Sequence, residues 1–480
     1  MDAILIGFVI YLVFILGLGI YASRQTKNMK DFALGGQRLG PKVIALSERA
    51  SGESAWLLLG LPGAALTAGM LELWTVVGCI TGIMFSWLVI AKPLRILTEK
   101  LKVLTLPELF EQKFNEKSGI IRLVASLIIT FFFTFYVAAQ FSGAGKVLNV
   151  TFGITHMQGM LLGALIIIFY TLLGGFFAVA WTDMVQGIIM IGTLVILPLV
   201  GWIELSHLPE KNIVVWDMSN LWGGKTGGTA LLAAIGGLSW GLGYMGQPHL
   251  VTRFMAIDSV DNISQSRRIA FAWAIPAFFG AMIIGLVGVH LVSAGILPAL
   301  SDSEFLMPTM AKTLLPTWLA GIFISGAIAA MMSTTDSQLL ISTTVLTQDI
   351  YKRFSGLKTD DKTLLRIGRI LTIIIGFIGF GLAWQSKDLV FEMVSYAWGG
   401  LGASFGPALL LTLWWKRTSI AGILVGMVCG TLFTIWDIAG ETVTPRLTAF
   451  LIAFLAVVVV SYINPNKEDN LSEYPLGQES

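Results

Sequence analysis

Apolar residues run in blocks of about 20, the length an α-helix needs to cross a lipid bilayer, and the blocks recur along the whole chain. They fall near 3–22, 43–68, 72–92, 121–148, 156–176, 178–204, 230–250, 270–298, 316–347, 368–384, 390–415, 418–437 and 446–463, which predicts thirteen spanning helices. The longest outside connections are 205–229 and 299–315, and the first reads as an external loop, not a domain. The pattern predicts an all-α integral membrane protein, a single bundle over 1–463 with a polar tail at 464–480.

Polar residues inside the blocks carry the candidate chemistry. In the ninth block, Ser333, Thr334, Thr335, Asp336 and Ser337 lie at membrane depth. Lipid does not tolerate such groups without partners, so they face a cavity, an ion or another helix. Hydroxyls with a carboxylate suit a small hard cation, which prefers oxygen ligands. The plainer alternative is that each hydroxyl bonds back to a carbonyl of its own helix.

Two blocks are poor candidates for unbroken helices. The second contains Ala50-Ser51-Gly52-Glu53-Ser54-Ala55-Trp56, and the seventh contains Trp240-Gly241-Leu242-Gly243-Tyr244-Met245-Gly246-Gln247-Pro248-His249. Glycine and proline there oppose a continuous helix, and interrupted spans free backbone groups to hold ligands near the membrane midplane. The two blocks are five apart in order. With 3–22 as a leading helix, they open two five-helix halves, 43–204 and 230–415, followed by trailing helices over 418–463. Tight helix packing is the other ordinary use of such glycines.

Charge placement fixes an orientation. With the N-terminus outside, the connections 22–43, 92–122, 250–270, 347–370 and 415–418 plus the tail are cytoplasmic and hold 24 of the 31 Lys and Arg. That asymmetry favours N-out, C-in and an odd number of spans. Composition agrees: 55% of residues are hydrophobic and 12% charged, against about 25% charged in soluble domains. Cys79 and Cys429 sit in apolar runs and suggest no disulfide, and the four histidines have no zinc spacing. The start has no basic segment of the kind that precedes a cleaved signal peptide. No nucleophile–base pair, nucleotide motif, nucleic-acid signal or obligate protein partner is evident, so a non-enzymatic carrier is expected. A channel or a membrane sensor are the rival classes, the latter disfavoured by the lack of a signalling domain after residue 464.

The run Thr171-Leu172-Leu173-Gly174-Gly175-Phe176-Phe177-Ala178-Val179-Ala180-Trp181-Thr182-Asp183-Met184-Val185-Gln186 resembles the signature segment of the sodium/solute symporter family. The similarity extends through Leu34–Pro41, Trp56–Gly63, Trp240–His249, Ala330–Leu340 and Ser395–Pro407, and is closest to the bacterial sodium/proline symporters. It implies a LeuT-type fold of thirteen spans in a bacterial cytoplasmic membrane. It also implies a sodium site made by the carbonyls of Ala50, Glu53 and Ala330 and the hydroxyls of Ser333 and Thr334. In the family an Asp usually stands where this chain has Gly52; here the acid is one residue on, at Glu53. Asp183, Asp336 and Ser337 resemble positions that hold another cation in related symporters, or they carry a proton. The family's proline site falls on Ser54, Ala55, Trp56, Tyr136, Trp240 and Tyr244, with Ala55 in place of a glycine. Gln247 is expected to hydrogen-bond within the second break. Trp398–Gly402 resembles a flexible gating segment, and Glu392 and Asp437 have no evident partner. The expected activity is sodium-coupled import of L-proline or a similar small amino acid, with proton coupling or another cargo as the alternative.

Overall fold

The computed structural model describes residues 3–208, 215–355, 359–436 and 445–465. Asp437 and nearly all of the polar tail lie outside the described residues. Every apolar block falls on helix. The first is Ala3–Ser23; the second is Pro41–Ala55 continued through a π-turn at Trp56–Gly60 into Leu61–Ala68. The third runs Leu73–Phe85, through a second π-turn at Ser86–Ile90, to Leu101. Then follow Ile120–Phe152, His156–Leu173 and Phe176–Ser206. The seventh comes in three pieces, Gly227–Leu238, Trp240–Gly243 and Pro248–Ala256. The chain continues as Ile263–Ser293, Thr317–Val345 with a π-turn to Tyr351, Asp361–Gln385 and Val390–Trp414. Ile420–Trp436 and Pro445–Ile463 complete the set.

The hydropathy pattern missed Met29–Leu34, Leu106–Lys113 and Leu306–Leu314, helices of 6 to 9 residues, too short to register as a span. Two are set by capping. Asn28 accepts from the Asp31 amide and Thr105 from the Glu108 amide, each satisfying an orphan donor of the first turn. Among the described residues the only extended pairing is the isolated bridge Leu39–Ile257.

The burial pattern is that of a membrane protein. Phe14, Leu88, Phe169, Leu199, Phe377 and Leu455 are exposed, while many polar side chains are inside. An apolar surface this extensive needs lipid against it. Among the described residues, eight helices are long and apolar enough to cross a membrane by length and composition, so the chain is a multi-pass membrane protein.

The helix Pro41–Ala55 is central, packed against Phe176–Ser206, Ile263–Ser293, Thr317–Val345 and Pro248–Ala256. Ile120–Phe152 contacts Thr317–Val345 from one side and Val390–Trp414 from the other. Close approach relies on glycine at two places. A Cβ on Gly241 would come within 2.3 Å of the Gly78 carbonyl, and one on Gly243 within 1.8 Å of the Trp398 indole nitrogen. Glycines here let the seventh stretch press directly on the third and eleventh.

Candidate functional site

Both suspect stretches are broken. In the second, Ser54 has φ +32° and ψ −166°, a conformation rare for a residue with a side chain, and it lies between two helical runs. In the seventh, Tyr244–Gln247 interrupt the helix, which restarts with Pro248 in its first turn, where a missing N–H costs nothing. Backbone freed at the first break is partly satisfied by side chains: the Ala55 amide donates to Gln140 Oε1 at 3.0 Å.

Oxygens from the ninth stretch meet the second beside its break. Ser333 Oγ lies 3.0 Å from the Ala50 carbonyl and 3.1 Å from the Ala330 carbonyl, and Thr334 Oγ1 lies 2.9 Å from the Ser51 carbonyl. All these residues are buried. A cation of sodium's size takes oxygens at about 2.3–2.6 Å, the range of calcium, which has nearly the same radius. Ligands around such an ion stand roughly 3–3.5 Å apart, and the Ser333 hydroxyl lies at about that spacing from the Ala50 and Ala330 carbonyls. Of the five expected ligands, Ala50, Ala330 and Ser333 converge directly. Thr334 bonds to the Ser51 carbonyl, which was not among the expected ligands. The Glu53 carbonyl instead accepts the Trp56 amide in the turn at the break.

The Glu53 side chain faces elsewhere. It accepts from Arg49 Nη1 at 2.5 Å, and Tyr244 donates to its two oxygens at 3.0 and 3.3 Å. Arg49 also forks onto Glu48, which accepts from the Trp87 indole at 3.1 Å. A side chain at position 52 would point at Leu250 and Arg49. The acid at 53 is therefore bound to a fixed guanidinium and to the second broken stretch.

The second expected cation position contains a cation that belongs to the protein. Arg253 lies 2.9 Å from Asp183 and donates to Ser51 and Ser337 at 2.7 and 2.5 Å. Ser47 donates to Asp183 at 2.7 Å, and Ser337 approaches Asp336 at 3.4 Å. The charge pattern assigned Arg253 to a cytoplasmic connection; it is instead wholly buried. The signal for it was visible: an arginine one turn after Pro248, still in an apolar run.

The aromatic residues form one cluster. Trp56 stacks on Trp240 at 4.7 Å and 19°. Phe391, unforeseen, covers both at 6.3 and 4.9 Å. Trp398 abuts Tyr244 edge-on at 4.6 Å and Tyr136 at 6.4 Å, and the Tyr136 and Ser54 hydroxyls are 3.4 Å apart. Gln247 donates to the Trp398 carbonyl at 2.9 Å, so it does bond at the break. Ser54, Ala55, Trp56, Tyr136, Trp240, Tyr244 and Gln247 thus line one buried region, with Trp398 and Gln140 added.

Glu304 accepts the Val390 and Phe391 amides at 2.9 Å each and Lys146 Nζ at 2.5 Å, pinning Phe391 over the tryptophan stack. Elsewhere a small pocket is walled by residues that include Leu106, Pro248, Thr252 and Thr344. Glu392 is exposed at its helix start, as its position suggested. Cys79 and Cys429 are free thiols.

Two interrupted membrane helices side by side, with oxygens of a third at the break, are the arrangement in which secondary transporters hold their ligands. The chain belongs to the sodium:solute symporter family, whose family model matches residues 32–430. It is 38% identical to the high-affinity proline transporter PutP of Bacillus subtilis, over 93% of this chain and 95% of the relative. It is 36% identical to the sodium/proline symporter of Escherichia coli, over 96% of this chain and 93% of that one. A Na+-coupled sialic acid symporter solved in a substrate-bound outward-open state shares the fold with a TM-score of 0.77, covering 96% of this chain and 98% of its own at 20% identity. The fold is LeuT-type.

Proposed function

We propose that this protein imports L-proline, or a similarly small amino acid, together with sodium by alternating access. In this reading thirteen helices cross a bacterial cytoplasmic membrane, N-terminus outside and C-terminus inside. The halves 43–204 and 230–415 form the inverted core, flanked by the leading helix 3–22 and the trailing pair 418–463. The observation that carries it is the contact of Ser333, on the ninth stretch, with the Ala50 and Ala330 carbonyls beside the broken second stretch.

Neutral oxygens suit a coupling ion that must be released each cycle. The Ala50, Ala330 and Ser51 carbonyls now accept hydroxyl protons; an entering sodium ion takes those lone pairs while Ser333 and Thr334 rotate their protons away. Sodium thereby ties the ninth stretch to the first break, next to Ser54, Ala55 and Trp56. As cargo enters, the Ala55 amide exchanges Gln140 for the cargo carboxylate, and Trp56, Trp240 and Trp398 pack an apolar ring and attract an ammonium. Asp183 is paired with Arg253, so this pair supports the bundle and leaves ion coupling to the hydroxyl site. Each sodium entering gains about 2.3 kcal/mol per 100 mV of membrane potential.

The test is uptake of labelled proline into proteoliposomes with a sodium gradient, a proton gradient, or neither. Uphill accumulation driven by sodium alone is expected. Accumulation driven equally well by protons without sodium contradicts sodium coupling.

A further inference from the structure

We propose that Glu53 is a specificity-determining residue: by accepting the Tyr244 hydroxyl proton it makes the pocket select cargo bearing N–H donors, a protonated amine or imine. The inference rests on the amino-acid reading given above and goes beyond it, because it assigns the selection to a buried charge network behind the pocket wall.

The network runs from Trp87 through Glu48, Arg49 and Glu53 to Tyr244, and each of these side chains is buried. A guanidinium has donors and no acceptor. At 2.5 Å from Glu53 Oε1, Arg49 both uses that oxygen and favours the charged carboxylate. An ionised carboxylate is an acceptor only, so in the 3.0 Å contact the Tyr244 hydroxyl must donate. Its proton is then committed to Glu53. The remaining capacity of the phenolic oxygen is to accept, and a cargo group meeting it must donate.

Two further observations point the same way. Trp398 lies edge-on to Tyr244 at 4.6 Å, so the ring is held and the phenolic oxygen keeps its place beside Glu53. Glu48 and Glu53 face one guanidinium, Arg49. These carboxylates attract a cationic donor more than a neutral one, an attraction that Arg446, 4.5 Å over the Trp240 ring, reduces. Tyr244 touches the cargo in this scheme; Glu53 acts through it as a positioning residue.

The experiment measures inhibition of labelled-proline uptake, at saturating sodium, by unlabelled proline and by tetrahydrofuran-2-carboxylate. The latter has an ether oxygen where proline has its protonated nitrogen. The wild type should prefer proline by about 10⁴-fold, the scale on which a hydrogen-bonding site rejects a cargo lacking the group. Glu53→Gln and Tyr244→Phe should each cut that preference by at least about tenfold, mainly by weakening proline. A purely structural role would weaken both compounds alike. Preference kept within about threefold of wild type in both variants overturns the inference. Glu53→Gln leaves the Arg49 fork on Glu48; should it fail to reach the membrane, Tyr244→Phe decides alone, since both ion pairs persist in it. A wild type that neither binds nor transports proline removes the amino-acid reading and this inference with it. Proline transport with an unaltered preference in the variants removes this inference only.

Discussion

Replacing Ser333 with alanine separates a cation ligand from an ordinary helix hydroxyl. Ser333 Oγ reaches a carbonyl of its own helix, Ala330, at 3.1 Å and one of another helix, Ala50, at 3.0 Å. The substitution deletes one oxygen and leaves the Ala50 carbonyl without its donor. A neutral hydrogen bond is worth about 0.5–1.5 kcal/mol net, and an unpaired buried carbonyl costs about 1–3 kcal/mol. Loss of one ligand in this range weakens sodium by about ten- to a hundredfold, at 1.4 kcal/mol per tenfold. The assay is proline uptake into proteoliposomes as sodium is varied, with membrane abundance measured in parallel. The half-saturating sodium concentration should rise at least about tenfold, while the KM for proline recovers to within about threefold once sodium is saturating. Ser325→Ala is the control. That hydroxyl is equally buried and bonds only the Gly321 carbonyl of its own helix at 2.7 Å, so sodium dependence should not move. An unchanged sodium requirement in Ser333→Ala, or an equal shift in Ser325→Ala, refutes the reasoning.

Three other perturbations follow from the same geometry. Arg253→Gln leaves Asp183 as an uncompensated buried charge, an event costing about 3–5 kcal/mol; detergent-solubilised protein should melt markedly lower, and adding Asp183→Asn should restore much of the loss. Trp56→Ala removes the ring stacked on Trp240 at 4.7 Å; the KM for proline should rise at least about tenfold, the scale of a pocket aromatic, with half-saturating sodium changed far less when read at saturating proline. Glu304→Gln weakens the hold on Lys146 and on the amides of Val390 and Phe391; in a Phe391→Cys background it should speed labelling by an impermeant thiol reagent added from outside, and equal rates would count against a latch.

The parts legible in the sequence were those encoded by one helix at a time. Continuous apolar runs gave the helices, and Gly241, Gly243 and Pro248 gave the second break, because their backbone effects need no partner. The first break was legible only as a neighbourhood, Ala50 to Trp56, within which the unusual φ falls on Ser54. Side-chain destinations were not legible. Glu53 reads as an acid near the hydroxyls, but its carboxylate turns to Arg49 and Tyr244, a direction set by helix rotation. Arg253 counted as a cytoplasmic charge because a helix that continues past its apolar part is indistinguishable, in composition, from a loop. Its partners Asp183, Ser51 and Ser337 lie on three other stretches, and no local pattern links them. Phe391 was hidden in the same way, as an ordinary apolar residue until Glu304 pins it over the pocket.

The most direct measurement is equilibrium binding of labelled proline to the purified protein in sodium and in potassium, paired with sodium binding with and without proline. If the oxygens around Ser333 prepare the neighbouring pocket, sodium must tighten proline by the same factor that proline tightens sodium. That shared factor should collapse towards one in Ser333→Ala with Thr334→Ala. Proline binding of equal strength in sodium and potassium would contradict the account.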